Sequence, residues 1–259
     1  MQTRDGFTLR AWFLQPVQPN GDSVLLLHGL GDNRAGMRGF ADLFLRHGYS
    51  VLLPDARAQG ASGGTLATFG LLESQDILLW NNWLHTEKKS NCVFGLGESM
   101  GAAQLLQSLS VQPDFCAVVA ESSYSSFREI AYDRMGQPFH MGPWIGRTLF
   151  RPLVESAFLY VRFKYGLNMT AISPEEAVAR STVPVLLIHG GSDTNVPLRH
   201  SEQIFANSQT VAGNSTRVVL WVVPGAEHTG SFGQEPEEFE RRVTEWFAGH
   251  GRVGAPSKN

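Results

Sequence analysis

Short continuous apolar runs alternate along this chain with longer segments whose apolar residues have helical spacing. Runs with the length and composition of strands buried on both faces of a parallel sheet fall at 23–27, 49–53, 115–120 and 183–188, and further strands are predicted at 92–96 and 217–223. Helices are predicted at about 36–47, 73–85, 100–110, 198–207 and 236–247. This alternation predicts an α/β fold with a doubly wound, mostly parallel sheet. Functional side chains are expected at the carboxyl ends of its strands.

The amino end has a different pattern, because apolar residues occupy every second position there. Phe7, Leu9, Ala11 and Phe13 predict one strand over 7–14 with an apolar face. The opposite end, residues 249–259, is predicted to be a disordered tail. One domain over 1–248 therefore accounts for the rest of the chain.

A long segment after Ala120 breaks the alternation, since it is rich in aromatic and methionine residues and holds no strand-like run. We predict a helical cap insertion over about 122–181, folded over the strand ends of a core formed by 1–121 and 182–248. One alternative is a single core helix with surface packing. Another is a membrane-surface patch, giving weak membrane contact through basic residues beside the apolar ones: Arg147, Arg151, Arg162 and Lys164.

Composition narrows the range of partners. The formal net charge of −3 supplies no basic field for nucleic acid. No apolar run reaches the roughly 18 residues of a membrane span, and no signal-peptide pattern opens the chain, so a cytoplasmic protein is predicted. Cys92 and Cys116 lack metal or redox spacing and are predicted to be buried small apolar residues, with a disulfide possible if their strands are neighbours.

The run at 92–96 leads into the pentapeptide Gly97, Glu98, Ser99, Met100 and Gly101, and a helix-compatible run follows. A serine at such a strand-to-helix turn occupies strained backbone with its hydroxyl exposed, and the flanking glycines remove Cβ atoms that would collide. The turn also aims the Met100 N–H at any oxygen that gains charge beside Ser99. The pattern predicts Ser99 as a nucleophile.

Attack by serine on an acyl carbon needs a base and an acid that orients the base. Asp193 lies in the turn after the strand at 183–188, and His228 lies in the turn after the last strand, so the chain order is Ser, Asp, His. Glu121, directly after the strand at 115–120, is the alternative acid. His28 and His189 are expected to fix loops.

An oxyanion needs two converging N–H donors. Met100 supplies one, and we assign the other to Leu30, because Gly29 and Gly31 on either side let the backbone approach a substrate closely.

Together the segments HGLGD, PDARAQGASGG, GESMG, HGGSDTNVP and GAEHTG make the chain similar to the α/β-hydrolase superfamily from about residue 7 to 247. It resembles small carboxylesterases, monoglyceride lipases and prolyl-oligopeptidase-like catalytic domains. The resemblance implies an eight-stranded sheet, a Ser99, His228 and Asp193 triad, an oxyanion hole at Leu30 and Met100, and no metal or organic cofactor. The chain departs from the family in offering one strand before Ser23, so that the first strand is reduced to Gln2 and Thr3 or the chain starts late.

The residues and the resemblance together predict a serine hydrolase. The aromatic cap favours a small apolar substrate, a carboxylic ester of short to medium acyl chain. A peptidase or amidase would need charged groups to hold a peptide terminus, and Glu121, Arg128, Glu129 and Asp133 are candidates. A thioesterase would use the same triad, and a ligand-binding protein without turnover is a further alternative.

Overall fold

The computed structural model describes residues 1–137, 143–210 and 217–252. Its single sheet has seven strands in the described chain, in the order β1-β3-β2-β4-β5-β6-β7, and β1 alone is antiparallel to its neighbour. The predicted α/β fold with a mostly parallel sheet is confirmed. The strands are β1 (Ala11–Leu14), β2 (Ser23–Leu27), β3 (Ser50–Pro54), β4 (Val93–Glu98), β5 (Ala117–Glu121), β6 (Val185–Gly190) and β7 (Val218–Val223).

Helices cover both faces of this sheet. Alternate residues of the central strands point to opposite faces, as in Val24 and Leu25, and each set joins a separate buried cluster. The first cluster packs under α1 and α10, the second under α2, α3 and α8. The α-helices are α1 (Arg38–Arg46), α2 (Glu73–Thr86), α3 (Met100–Ser108), α4 (Phe127–Gly136), α5 (Pro143–Arg147), α6 (Arg151–Tyr165), α7 (Pro174–Arg180), α8 (Arg199–Gln209), α9 (Ser231–Gln234) and α10 (Pro236–His250).

The amino end differs from its prediction. The strand expected over 7–14 is confined to β1, because Leu9 N–H bonds to Met1 O and Arg10 N–H bonds to Ser62 Oγ instead of to a sheet partner. Gln2 and Thr8 form an isolated antiparallel bridge. The eight-stranded sheet implied by the resemblance is therefore wrong for the described residues, which form seven strands and this bridge.

Helices α4 to α7 lie between β5 and β6, where the cap was predicted. Helix α7 packs against α3 and α8, so it belongs spatially to the helices beside the sheet. Helices α4, α5 and α6 contact one another, and their arrangement as a cap over the strand ends stays a prediction. Phe139 and Met141 of the predicted insertion lie outside the described residues.

Cys92 and Cys116 form a disulfide, so their interpretation as unbonded apolar residues is wrong. Each precedes one of two neighbouring parallel strands, β4 and β5, which brings the two Cα atoms to 5.7 Å. The sequence showed both positions but not that these two strands are adjacent.

The predicted disorder of 249–259 does not hold for its first residues. Helix α10 continues to His250, and the Arg252 guanidinium bonds to Asp114; residues 253–259 lie outside the described residues. Within the described ranges, no helix has the length and apolar character that crossing a membrane requires. The cytoplasmic location stays a prediction.

Candidate active site

Ser99 sits at the tip of a sharp turn between β4 and α3. Its backbone φ is +51°, a conformation that L-residues rarely adopt. The turn is possible because of its glycines. A Cβ on Gly97 would lie 2.6 Å from the carbonyl carbon of Gly101, and a Cβ on Gly101 would collide with the Leu27 carbonyl oxygen. Local sterics thus raise the Ser99 hydroxyl above the sheet edge.

A continuous chain of hydrogen bonds joins the three side chains predicted from the sequence. His228 Nε2 lies 2.8 Å from Ser99 Oγ, and His228 Nδ1 lies 2.8 Å from Asp193 Oδ2. Because an ionised carboxylate can only accept, the bond to Asp193 places the imidazole proton on Nδ1. Nε2 is then free to accept the serine proton. The three residues come from the ends of β4, β6 and β7.

Asp193 is held as a carboxylate in a buried position. Burial alone would raise its pKa, but bonds from His189, His228 and the backbone N–H of Val196 outweigh that effect and hold the pKa well below its usual range. Its Oδ1 accepts from the N–H groups of Asn195 and Val196, so Oδ2 is left to face His228. The local turn therefore fixes both the charge and the direction of this acid.

The two other histidines near the sheet edge support loops, as expected. His28 Nε2 accepts from the Ala56 N–H at 3.0 Å. His189 is fully buried and bonds to Ser201 Oγ and to Val196 O, which braces the turn that carries Asp193.

Two residues that line the cavity beside Ser99 have a backbone N–H group with no acceptor among the described residues. They are Leu30 and Met100, the positions predicted for the oxyanion hole. Met100 begins α3, so the helix dipole adds to its donor strength. Two contacts hold the chain directly after Leu30: the bond from Gly31 N–H to Gln59 Oε1 and the Arg34 ion pair with Asp55.

Glu98 and Glu121 occupy paired positions on β4 and β5, directly beside the turn. Burial raises the pKa of Glu98 to about 8, and the nearby carboxylates of Glu121 and Asp32 add to the shift. Burial likewise raises the pKa of Glu121. Glu121 Oε1 accepts from the Ser231 N–H, and its Oε2 has no partner among the described residues. Glu121, the alternative acid, is thus bonded to the backbone of α9, while His228 bonds to Asp193.

Ser99 and His228 line a cavity of about 530 Å³ that residues of α4 also line. A second, almost wholly apolar cavity of about 480 Å³ adjoins it between α4, α6 and the chain around Phe69. The two share the walls formed by Phe69, Phe127 and Ala131, and Arg134 lies at the boundary. These wall residues were not predicted as site residues, because α4 has no periodic signal that shows which of its sides faces Ser99.

Phe69 is the most unusual of the wall residues. Its φ is +55°, and its carbonyl accepts from the Tyr124 hydroxyl at 2.7 Å while its ring packs 4.7 Å from that of Phe127. Strained backbone of this kind persists where neighbouring contacts hold it. No group of His, Cys, Asp and Glu in the described ranges is arranged to hold a metal ion.

The comparisons with known proteins agree with the fold of the structure. The sequence profile of the alpha/beta hydrolase family matches residues 24–242. The chain is 30% identical over 246 residues to the protein Rv2307c of Mycobacterium tuberculosis, covering 94% of this chain and 74% of that protein. The esterase Pf2001 of Pyrococcus furiosus superposes with a TM-score of 0.75 at 26% identity, covering 97% of this chain and 91% of that one.

A further relative is the lysophosphatidylserine lipase ABHD12 of Danio rerio, 24% identical over 219 residues, which are 80% of this chain and 53% of that protein. The sheet, the strand-to-helix turn and the profile match define one class of protein: this chain belongs to the alpha/beta hydrolase family. Its similarity to an esterase identifies it further as a hydrolase.

Proposed function

We propose that this protein hydrolyses carboxylic esters of short- to medium-chain apolar acids, with Ser99 as nucleophile, His228 as base and Asp193 as the orienting acid. The observation that carries the proposal is the unbroken hydrogen-bond chain from Ser99 Oγ through the imidazole to Asp193 Oδ2, on the wall of a cavity. A general base must lie within hydrogen-bond reach of the proton it takes, and His228 does.

The reaction divides into two acyl transfers. His228 Nε2 takes the hydroxyl proton while Ser99 Oγ attacks the ester carbonyl carbon, and the carbonyl oxygen becomes an oxyanion bound by the N–H groups of Leu30 and Met100. The carbon–oxygen bond to the alcohol then breaks, and His228 protonates the departing alkoxide. Water attacks the acyl-enzyme with the same help from His228, which releases the acid and returns the proton to Ser99 Oγ.

The apolar cavity supports the choice of acyl group. Phe127, Val154 and Phe158 line it, and it begins at the walls that it shares with the Ser99 cavity. Each methylene buried there stabilises a bound chain by about 0.8 kcal/mol. An esterase and a lipase among the similar proteins also favour esters over amides.

The charged groups that a peptidase would need are engaged elsewhere. Asp133 accepts from Arg199 and from His200 Nε2 within the protein. Arg128 is paired with Glu155. Asp133 and Arg128 are therefore held by other groups of the protein, and neither is free to bind a peptide terminus.

Hydrolysis of p-nitrophenyl esters from acetate to palmitate, with Ser99→Ala beside the native protein, tests the proposal. We expect turnover with an optimum at short to medium chains, and a loss of about 10⁴-fold or more in kcat for Ser99→Ala. Ser110→Ala changes an exposed serine two residues after α3; it is the matched control and should retain full activity. Equal turnover by Ser99→Ala and the native protein would exclude Ser99 as nucleophile. Binding of esters without Ser99-dependent turnover would favour the non-catalytic alternative.

A further inference from the structure

The outer side of the cap carries an unusual number of large apolar side chains. Seven of the thirteen exposed large apolar residues in the described chain lie between Trp144 and Tyr165. Phe163 is 85% exposed, and Trp144 is 71% exposed. We define the cap face as these residues and the adjacent Leu66: Leu66, Trp144, Leu149, Leu153, Leu159, Tyr160, Phe163 and Tyr165.

Helix α6 is apolar on two sides. Val154 and Phe158, four residues apart, form its buried side. Leu159 and Phe163, also four residues apart, form a second apolar ridge that is exposed. An ordinary surface helix keeps polar residues opposite its buried stripe. A contiguous exposed apolar face on a folded protein marks a site of interaction.

Basic side chains surround this face. The segment 143–165 contains four basic residues and one acidic residue, Glu155, in a chain whose net charge is −3. Glu155 is bonded to Tyr132 and Arg128. Among the described residues, no carboxylate lies within ion-pairing distance of Arg151, Arg162 or Lys164.

The segment 56–72, which carries Leu66, contains no acidic residue at all. The excess positive charge is therefore local to the cap face and opposite in sign to the charge of the whole chain. Such a distribution turns this side of the molecule toward an anionic surface.

Together the apolar ridge and the cations fit the interface of a lipid bilayer. Aromatic rings with polar atoms settle at the headgroup level, and lysine extends its ammonium to the headgroups from an apolar stem. The Lys164 ammonium already lies against two aromatic side chains, bonding to the Tyr160 hydroxyl at 2.7 Å and lying 5.2 Å from the Tyr165 ring centroid. A second copy of the chain is a poorer occupant, because a two-fold interface would bring the same cations together.

We propose that the cap face binds the surface of an anionic lipid bilayer and that the apolar cavity opens onto that surface. The residues that line the cavity include Leu66, Leu153, Ala157 and Tyr165, which are exposed to solvent, and three of these, Leu66, Leu153 and Tyr165, belong to the cap face; we take these exposed residues as the mouth of the cavity. Docking places this mouth at the level of the acyl chains, so a lipid ester enters without crossing water. The delivery of substrate rests on the proposed esterase function; the binding of lipid does not.

Co-sedimentation of the full chain with vesicles tests the binding, using pure phosphatidylcholine and an equal mixture with phosphatidylglycerol. We expect binding to the mixed vesicles and much weaker binding to phosphatidylcholine. Arg162→Gln with Lys164→Gln should weaken binding about fivefold per charge removed. Leu159→Ser with Phe163→Ser should weaken it tenfold or more, because their apolar area stays in water.

Matched changes outside the cap face separate a specific effect from a general one. Lys89→Gln with Arg180→Gln removes the same charge from exposed positions, and Val17→Ser removes a fully exposed apolar side chain. These controls should bind vesicles like the native protein. All variants should hydrolyse soluble p-nitrophenyl acetate at the native rate, which shows that the site is intact and separates failure of docking from failure of the esterase function.

Two results would overturn the proposal. The first concerns vesicle binding: the cap-face variants bind as well as the controls do, or the native chain does not bind the mixed vesicles. The other is a dimer in light scattering that Leu159→Ser with Phe163→Ser converts to a monomer, without vesicle binding, because the cap face would then be a contact between copies of the chain.

Discussion

The edge of the sheet around Ser99 and the outer side of the cap differ in how far the protein satisfies its own groups. At the sheet edge, neighbouring backbone atoms occupy the space that a Cβ atom on Gly97 or Gly101 would need. His228 is bonded to both Ser99 and Asp193. On the cap face, large side chains such as Phe163 and Trp144 stay in water. The side chains of Ser99, His228 and Asp193 are bonded to one another within this chain, although Glu121 Oε2 has no partner among the described residues. We propose that the exposed side chains of the cap face contact a lipid bilayer, which lies outside this chain.

Replacing Asp193, the proposed orienting acid, should impair catalysis most among the changes that leave Ser99 in place. In Asp193→Asn the amide oxygen should stay at Oδ1, where two backbone N–H groups hold it, and the amide nitrogen should face His228. The imidazole must then accept at Nδ1 and carry its proton on Nε2, where it cannot take the serine proton. We expect kcat to fall about 10⁴-fold while the fold persists.

Glu121→Gln is the informative comparison for this variant, because Glu121 is the alternative acid that the sequence offers. Its carboxyl bonds to the Ser231 N–H, a contact that an amide oxygen can keep. Steady-state kinetics on one soluble ester should show a far smaller loss than for Asp193→Asn. The reverse order would assign the orienting role to Glu121.

Gly101→Ala tests whether the turn around Ser99 requires a residue without a side chain at this position. A methyl group there meets the backbone carbonyls of Leu27 and His28, which cannot move without displacing β2. Overpacking of this kind costs about 1–3 kcal/mol, and contact with backbone favours the upper end. Thermal unfolding should show a clear drop in Tm. Gly249→Ala in α10 is the control, since nothing lies within 4 Å of the added methyl, and its Tm should be unchanged or higher.

The same difference between the two regions explains which site residues could be predicted from the sequence. The role of Ser99 could be predicted from the local sequence, since a serine between glycines after a buried strand is typical of a nucleophile turn. Asp193 and His228 could be named because each lies in the turn after a predicted parallel strand, and parallel strands end at one edge of the sheet. Those local requirements are visible in a single sequence.

The parts that escaped prediction depend on which distant elements become neighbours. Nothing in the sequence pairs β4 with β5, so the disulfide between Cys92 and Cys116 could not be assigned. Likewise, Phe69 and Ala131 become cavity walls only when α4 packs against the segment that carries Phe69. The short β1 reflects loop contacts of Leu9 and Arg10 that no alternating pattern encodes.

Ala157→Trp sharpens the comparison between the two cavities. Ala157 lines the apolar cavity and not the cavity of Ser99. An indole there should exclude the distal part of an acyl chain, with kcat/KM for decanoate falling about fourfold for each methylene that loses its contact, while acetate is unaffected. Ser156→Trp, the neighbouring exposed position, is the control and should leave the chain-length profile unchanged. Equal losses on acetate and decanoate would show that the apolar cavity is not an acyl site.

Glu98→Gln has the smallest expected effect and concerns a half-buried carboxyl of the sheet edge whose pKa is raised. Because its folded-state pKa of about 8 exceeds the usual value of 4.5, Glu98 binds a proton in the native state that the unfolded chain has already lost. Its contribution to stability is therefore fully present below about pH 4.5 and is lost as the pH rises toward 8. The amide cannot ionise and escapes this loss.

We expect Glu98→Gln to match the native protein near about pH 5 and to become more stable as the pH approaches about 9, by about 1–2 kcal/mol, because solvent reaches the half-buried carboxyl and screens its neighbours. Thermal unfolding across this range measures the difference. Glu87→Gln, at an exposed position after α2, removes one carboxylate as a control and should show a constant offset from the native protein. A constant offset for Glu98→Gln as well would mean that the carboxyl beside Ser99 is ionised in the native state, and that the sheet edge tolerates its charge.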